Sequence, residues 1–145
     1  MKDTCLFCRI AKGEVKAAVV YEDEHTLAFL DHRPLFPGHC LLIPREHFET
    51  LPELPPDKVE PLFSRARRLA GVVETALEAE GTFVAINNRV SQSVPHLHVH
   101  VVPRRKGDGL RGFFWPRGKY PDDMALEQIR VLLHDAMLGE KKVQK

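Results

Sequence analysis

The sequence predicts an α+β domain, an antiparallel β-sheet carrying two main helices. Three observations lead there. Several short runs have the alternation and length of strands, two long segments repeat apolar residues at helical spacing, and the two kinds do not alternate strictly along the chain. With 145 residues, 43% of them hydrophobic and 28% charged, the chain suits one core. A single domain over residues 1–139 is expected, with 140–145 as a flexible tail.

Ala18–Glu22 and Thr26–Leu30 flank the polar turn Asp23-Glu24-His25 and read as a hairpin. Pro34, Pro37 and Gly38 impose a loop, after which His39–Ile43 reads as a buried strand stopped by Pro44. The first long helix is expected to start with Asp57 as its N-cap and to end at Gly81. Val59, Leu62, Phe63, Ala66, Leu69, Ala70, Val73 and Leu77 form its apolar stripe. Its other face carries Arg65, Arg67, Arg68, Glu74 and Glu78, the arginines read as a solvated basic cluster with nucleic-acid contact as the lesser alternative. Phe83–Ile86 and His96–Val102 read as strands joined by the polar loop Asn87–Pro95. A second helix is expected from Asp123 to about Met137, closed by Gly139.

A formal net charge of +1 gives no electrostatic case for nucleic-acid or membrane binding. The polar start lacks the apolar stretch of a secretory signal, so cytoplasm is the default compartment. Cys5, Cys8 and Cys40 form an odd set, which argues against a disulfide framework.

Chemistry concentrates in Pro95-His96-Leu97-His98-Val99-His100-Val101-Val102. On a strand His96, His98 and His100 share one face, each about 7 Å from the next, while Leu97, Val99 and Val101 face the core. Each buried imidazole needs a hydrogen-bond partner, so three in a row are a poor choice for packing alone. One use is nucleophilic: a neutral imidazole nitrogen of His98 attacks phosphorus, and its other N–H, bound to a carbonyl, fixes the tautomer. The other use is a catalytic metal, which usually also needs carboxylates, and none lies between Glu80 and Asp108. Cys5-Leu6-Phe7-Cys8 is half of a tetrahedral zinc site, with a redox pair and two inert thiols as the alternatives.

His-Leu-His-Val-His-Val-Val resembles the signature of the histidine-triad (HIT) family. Further matches are Cys5-x-x-Cys8, Phe29-Leu30-Asp31, Pro37-Gly38-His39, Ile43-Pro44-Arg45-x-His47, Asn87 and Gln92-Ser93-Val94, so the resemblance covers about residues 4–104. It implies a HIT-like fold and a homodimer. The implied reaction is hydrolysis or transfer at the α-phosphate of a purine nucleotide through a nucleotidyl intermediate on His98, without an organic cofactor. His96, His100, His39 and Ser93 are the implied supporting catalytic residues. Asp31 is implied at the ribose, Asn87, Gln92 and Ser93 at the phosphates and leaving group, and Phe7, Ile10, Phe29 and Leu30 at the base. A structural zinc is implied on Cys5, Cys8, His47 and His96. Gln92-Ser93-Val94 resembles the phosphoramidase branch, whereas Pro103-Arg104 with Gly107-Asp108 resembles the dinucleoside polyphosphate hydrolases. Arg104, Arg105, Lys106 and Arg111 suit an anionic leaving group or a solvated rim. Phe113-Phe114-Trp115 suit base stacking, a dimer contact or intrachain packing. The rival from another class is a non-catalytic, zinc-stabilised nucleotide-binding module.

Two departures from the family pattern stand out. Ser91 occupies a position where the family often has Gly, and the loop from Asn87 is short.

Overall fold

The structure, a computed structural model, describes residues 3–111 and 117–143. Phe113-Phe114-Trp115 lie outside the described residues. Two compact units are present, one through Asp108 and one from Gly109.

The first unit holds a five-stranded antiparallel sheet. Its elements are α1 (Leu6–Ala11), β1 (Val19–Glu22), β2 (Thr26–Leu30), β3 (Cys40–Pro44), a 3₁₀ turn at Leu51–Glu53, α2 (Pro56–Ala76), β4 (Gly81–Ala85) and β5 (Val99–Arg104). The strand order is β1-β2-β3-β5-β4, so β3 and β5 pair centrally although the chain builds α2 and β4 between them. In the β1–β2 turn, Asp23 Oδ1 accepts from the backbone N–H of His25 (2.8 Å) and Thr26 (2.7 Å), the turn chemistry that Asp favours.

Alternation sorts the sheet into two faces. Ala28, Cys40, Leu42, Val99 and Val101 pack with Leu62, Ala66 and Val73 of α2 in one cluster. Leu27, Phe29, Leu41 and Ile43 pack with Phe7 and Cys8 of α1 and with its N-cap Cys5 in the other. Leu41 pairs with His100, which carries the histidines onto the α1 face. The six residues of α1 are too few to show a helical period in sequence, and the expected strands missed this element.

Some boundaries differ from expectation. α2 begins with Pro55 as N-cap, and Asp57 sits in its first turn, where a carboxylate favours the helix dipole. α2 ends at Ala76 rather than Gly81 because Glu78 adopts the left-handed conformation (φ 51°). Ala79 N–H then donates to Glu74 O (2.9 Å) and Glu78 N–H to Thr75 O (3.4 Å), a C-terminal motif more often built on glycine. Gly81 instead opens β4, and β5 begins at Val99, three residues later than the histidine run predicts.

Gly38 is a glycine with a structural reason, since φ is +98° and a Cβ would lie 2.2 Å from Leu77 Cδ1. Leu77 is partly exposed and can swing aside, so the backbone carries most of the cost. Gly38→Ala is expected to lower unfolding free energy by about 1–2 kcal/mol, read as a shift in urea midpoint at constant slope.

The second unit contains α3 (Asp123–Val143). It starts at the expected residue but runs through Gly139, which costs a helix only about 1 kcal/mol.

Candidate active site

Four imidazoles meet on the α1 face. His96, His98 and His39 are buried and His100 is half-buried. Their hydrogen bonds fix each ring's tautomer. His98 Nδ1 lies 2.7 Å from the carbonyl oxygen of His96, an acceptor only, so Nδ1 carries the proton and Nε2 keeps its lone pair. His39 Nδ1 accepts from Leu35 N–H (3.1 Å), so its Nε2–H donates to His100 Nδ1 at 2.9 Å. His96 Nε2–H donates to Pro44 O at 2.8 Å, leaving its Nδ1 lone pair turned towards the two cysteines.

Burial pushes all four imidazoles below the ordinary value of 6.5, His96 and His100 to about 4. Neighbouring imidazoles add to the effect at His100, whereas the Asp31 carboxylate opposes it at His39, His98 and His100. The cluster is therefore neutral near pH 7, the state in which Nε2 of His98 can attack an electrophile. Between 6.5 and 4 the unfolded chain binds more protons than the folded one, so stability is full above that window and is lost as pH falls through it. For the metal-free chain the loss is expected to be on the order of a few kcal/mol by pH 4, measured by denaturant unfolding at stepped pH.

Before these rings opens a cavity of about 580 Å³. Phe7, Ile10, Phe29, Leu30, Asp31, Ser93, His98 and His100 all line it, with Leu6, Val15 and Val94 among the others. Phe7 sets its edge against the His98 ring, with centroids 5.2 Å apart and planes at 90°. Asp31 Oδ2 stands 3.8 Å from His39 Nε2. The cavity thus has an apolar end, a carboxylate, and a nucleophilic nitrogen.

Two expected substrate contacts do not line this cavity. The Gln92 amide donates to Glu49 O (2.6 Å) and accepts from Arg89 N–H (2.8 Å), and Asn87 is not on the wall. In the same loop Ser91 has φ +60°, the region that favours the glycine expected there. The basic segment after β5 is engaged elsewhere. Arg104 binds Asp108 through Nε (2.6 Å) and Nη2 (3.1 Å), and the Arg105 guanidinium donates to the carbonyls of Leu77 and Glu78 at the end of α2. Cys40 is core; its thiol faces Gly38 O (3.3 Å) and burial pushes its pKa up.

Among the described residues two groups could hold a metal: Cys5, Cys8, His47 and His96, and Asp31, His39 and His100. The first fits a tetrahedral ion. His96 Nδ1 lies 3.6 and 3.5 Å from the two sulfurs and His47 Nδ1 lies 3.2 Å from Cys8 Sγ, near the roughly 3.5 Å that ordinary Zn–S and Zn–N bonds impose at a tetrahedral angle. The Pro44 carbonyl orients His96 as an outer-shell partner does. The second group fits poorly, because the Leu35 N–H holds the His39 proton on the nitrogen that would face the ion.

The HIT domain profile matches residues 12–107. An uncharacterized HIT-like protein of Methanocaldococcus jannaschii is 43% identical over 107 residues, spanning 72% of this chain and 82% of its own. A solved structure of a Streptococcus mutans protein superposes with a TM-score of 0.85 at 34% identity, covering 94% of this chain and 87% of the other. A Zn-bound histidine triad protein of Mycobacterium smegmatis gives 0.71 at 36% identity, covering 89% and 97%. Two relatives have named activities. One is an adenylylsulfatase of Arabidopsis thaliana, 34% identical, covering 76% of this chain and 57% of that protein. The other is an asymmetrical bis(5'-nucleosyl)-tetraphosphatase of Schizosaccharomyces pombe, 35% identical, covering 68% and 55%. Fold, site and sequence together define a histidine-triad domain. This chain belongs to the HIT family.

Proposed function

We propose that the chain is a nucleotide hydrolase or transferase that cleaves at the α-phosphate of a purine nucleotide through a nucleotidyl-His98 intermediate. One observation carries this reading. The unprotonated Nε2 of a neutral, buried His98 belongs to a ring lining a nucleotide-sized cavity that also holds Asp31. The relatives that cleave adenylyl sulfate and dinucleoside tetraphosphate support it.

Nε2 attacks the α-phosphorus, a P–N bond forms, and the bond to the leaving group breaks with its electron pair on the departing oxygen or nitrogen. The His98 ring then carries positive charge, which the His96 carbonyl stabilises through Nδ1–H. Water attacks the same phosphorus, the P–N bond breaks, its proton passes to solvent, and the ring returns neutral. His39 and His100 form a hydrogen-bonded pair beside the reacting phosphate. Ser93 at the rim assists the leaving group. Asp31 receives the ribose hydroxyls, and Phe7, Ile10, Phe29 and Leu30 hold the base. Gln92 shapes the loop by tying it to Glu49 O and to the Arg89 amide.

The Cys5, Cys8, His47 and His96 set would hold a structural zinc, which supplies a closed cross-link between α1 and the strands beside His98. The Zn-bound relative supports this assignment. A thiolate pair of this kind suits the reducing cytoplasm. No described helix is long and apolar enough to cross a membrane. Homodimerisation is supported by the position of β4 at the end of the strand order and by the exposure of Leu126, Ile129, Leu133 and Met137 on α3.

The test is release of AMP from adenosine phosphoramidate and from a diadenosine polyphosphate, with His98→Ala as control. AMP from either substrate with the native chain alone supports the reading, and the faster substrate selects the branch. AMP binding without turnover favours the non-catalytic module.

A further inference from the structure

The arginine cluster of α2 has no part in the histidine site and lies on the opposite face of the sheet. Ser64, Arg65, Arg67, Arg68 and Gly71 line an open basin of about 540 Å³ with Tyr21 of β1. A narrower crevice of about 180 Å³ adjoins it, running between α2 and β1 to Ala28 and Leu42, both fully buried core residues. Its walls are Val20, Leu69 and Val72. An apolar crevice floored by core side chains is unusual for a face that only needs solvating.

The rim is built rather than merely charged. Arg65 Nε donates to Asp23 Oδ2 at 2.7 Å and its Nη1 lies 3.2 Å from Ser64 Oγ. Tyr21 donates its hydroxyl proton to the same Asp23 oxygen at 2.9 Å. Burial opposes ionisation of Asp23, yet the bonds from Arg65, the His25 and Thr26 amides and Tyr21 hold it well below the ordinary carboxylate range. Arg68 sits over the Tyr21 ring, Cζ 5.3 Å from the centroid. Among the described residues no carboxylate lies within 4.0 Å of Arg67 or Arg68, and none lines basin or crevice. Arg68 thus lines both basin and apolar slot and Arg67 lines the adjoining basin, neither with a carboxylate partner among the described residues.

We propose that this crevice is a second ligand site for a small amphipathic anion, a compact apolar group bearing a phosphate or a carboxylate. The apolar group enters between Val20, Leu69 and Val72, and the anionic head stays at Arg67 and Arg68, where guanidinium forks bind either oxyanion in pairs. The site is independent of the nucleotide cavity, because Ala28 and Leu42 face α2 whereas Leu41 and His100 face α1.

The test is a backbone-amide NMR titration of the full 16.5 kDa chain in excess AMP. Phenyl phosphate and phenylacetate are the probes, with inorganic phosphate and phenol as comparators. The expected result is saturable movement of the Val20, Ser64, Gly71 and Val72 amides, with at least one aryl anion binding about tenfold more tightly than either comparator. The tighter probe decides between phosphate and carboxylate. Arg67→Glu with Arg68→Glu reverses two exposed charges, and Val72→Trp fills the slot from an exposed position. Each is expected to weaken the aryl anion about tenfold or more while leaving AMP binding unchanged. Equal binding of comparators and aryl anions overturns the proposal. So does an affinity that both variants leave intact, or movement confined to amides around His98. Failure of AMP to bind would count against the nucleotide reading alone.

Discussion

Replacing His98 with alanine is expected to lower turnover of the nucleotide substrate about a thousandfold or more, with AMP affinity changed only a few-fold. The reasoning rests on which nitrogen is available. Within the cluster the His39 proton points at His100, His100 Nδ1 receives it, and His96 turns its lone pair towards the cysteines. Nε2 of His98 is the lone pair that none of these bonds uses, and Phe7 fixes the ring's plane from one side. No other side chain of the cluster can take over the attack without first breaking its own bond. His98→Asn is the companion variant, since its amide can still donate to the His96 carbonyl and so preserves the local fold. Steady-state kinetics with calorimetric AMP binding on both variants checks the expectation. A loss confined to KM would assign His98 to binding rather than to bond making.

Stripping the metal from the Cys5, Cys8, His47 and His96 group is expected to lower the melting temperature by about 10 °C and to weaken AMP binding at the same time. The coupling follows from the chain path. Cys5 and Cys8 bracket Phe7 on α1, and Phe7 is both a cavity wall and a neighbour of the His98 ring. His96 contributes its side chain to the metal group and its carbonyl to His98 Nδ1. Releasing α1 is therefore expected to loosen the apolar end of the cavity, the His98 ring and the second hydrophobic cluster together. Metal analysis of the purified chain should return one zinc per chain, and Cys8→Ser should abolish it. A chelated protein with unchanged melting temperature and unchanged AMP affinity would separate the metal group from the site.

Much of this was legible before the fold. β2 has the boundaries predicted from its place after the polar turn, and the helical stripe of α2 does supply Leu62, Ala66 and Val73 to the core. Elements whose ends depend on backbone conformation were not legible, because a left-handed Glu78 stops α2 where a scan for glycine looks further on. The histidine strand was read from spacing alone, yet His96 and His98 precede β5, and His96 is placed by a bond to Pro44 across 52 residues. The tautomers depend on Leu35, Pro44 and the His96 carbonyl, partners that only the fold brings close. His47 and His96 came to the cysteine pair through family resemblance, and the geometry brings all four ligand atoms within 4.8 Å of one another. Gln92 shows the converse, a motif residue whose amide the fold spends on tying its loop to Glu49 O and on the Arg89 amide.

The central claim is a covalent bond between His98 and the nucleotide. Intact-protein mass spectrometry on native chain quenched in acid-free conditions during turnover tests it most directly. The account predicts a species heavier by one nucleoside monophosphate, mapped to the peptide carrying His98 and missing in His98→Ala. An adduct on another residue, or an adduct of equal amount in the variant, would contradict it.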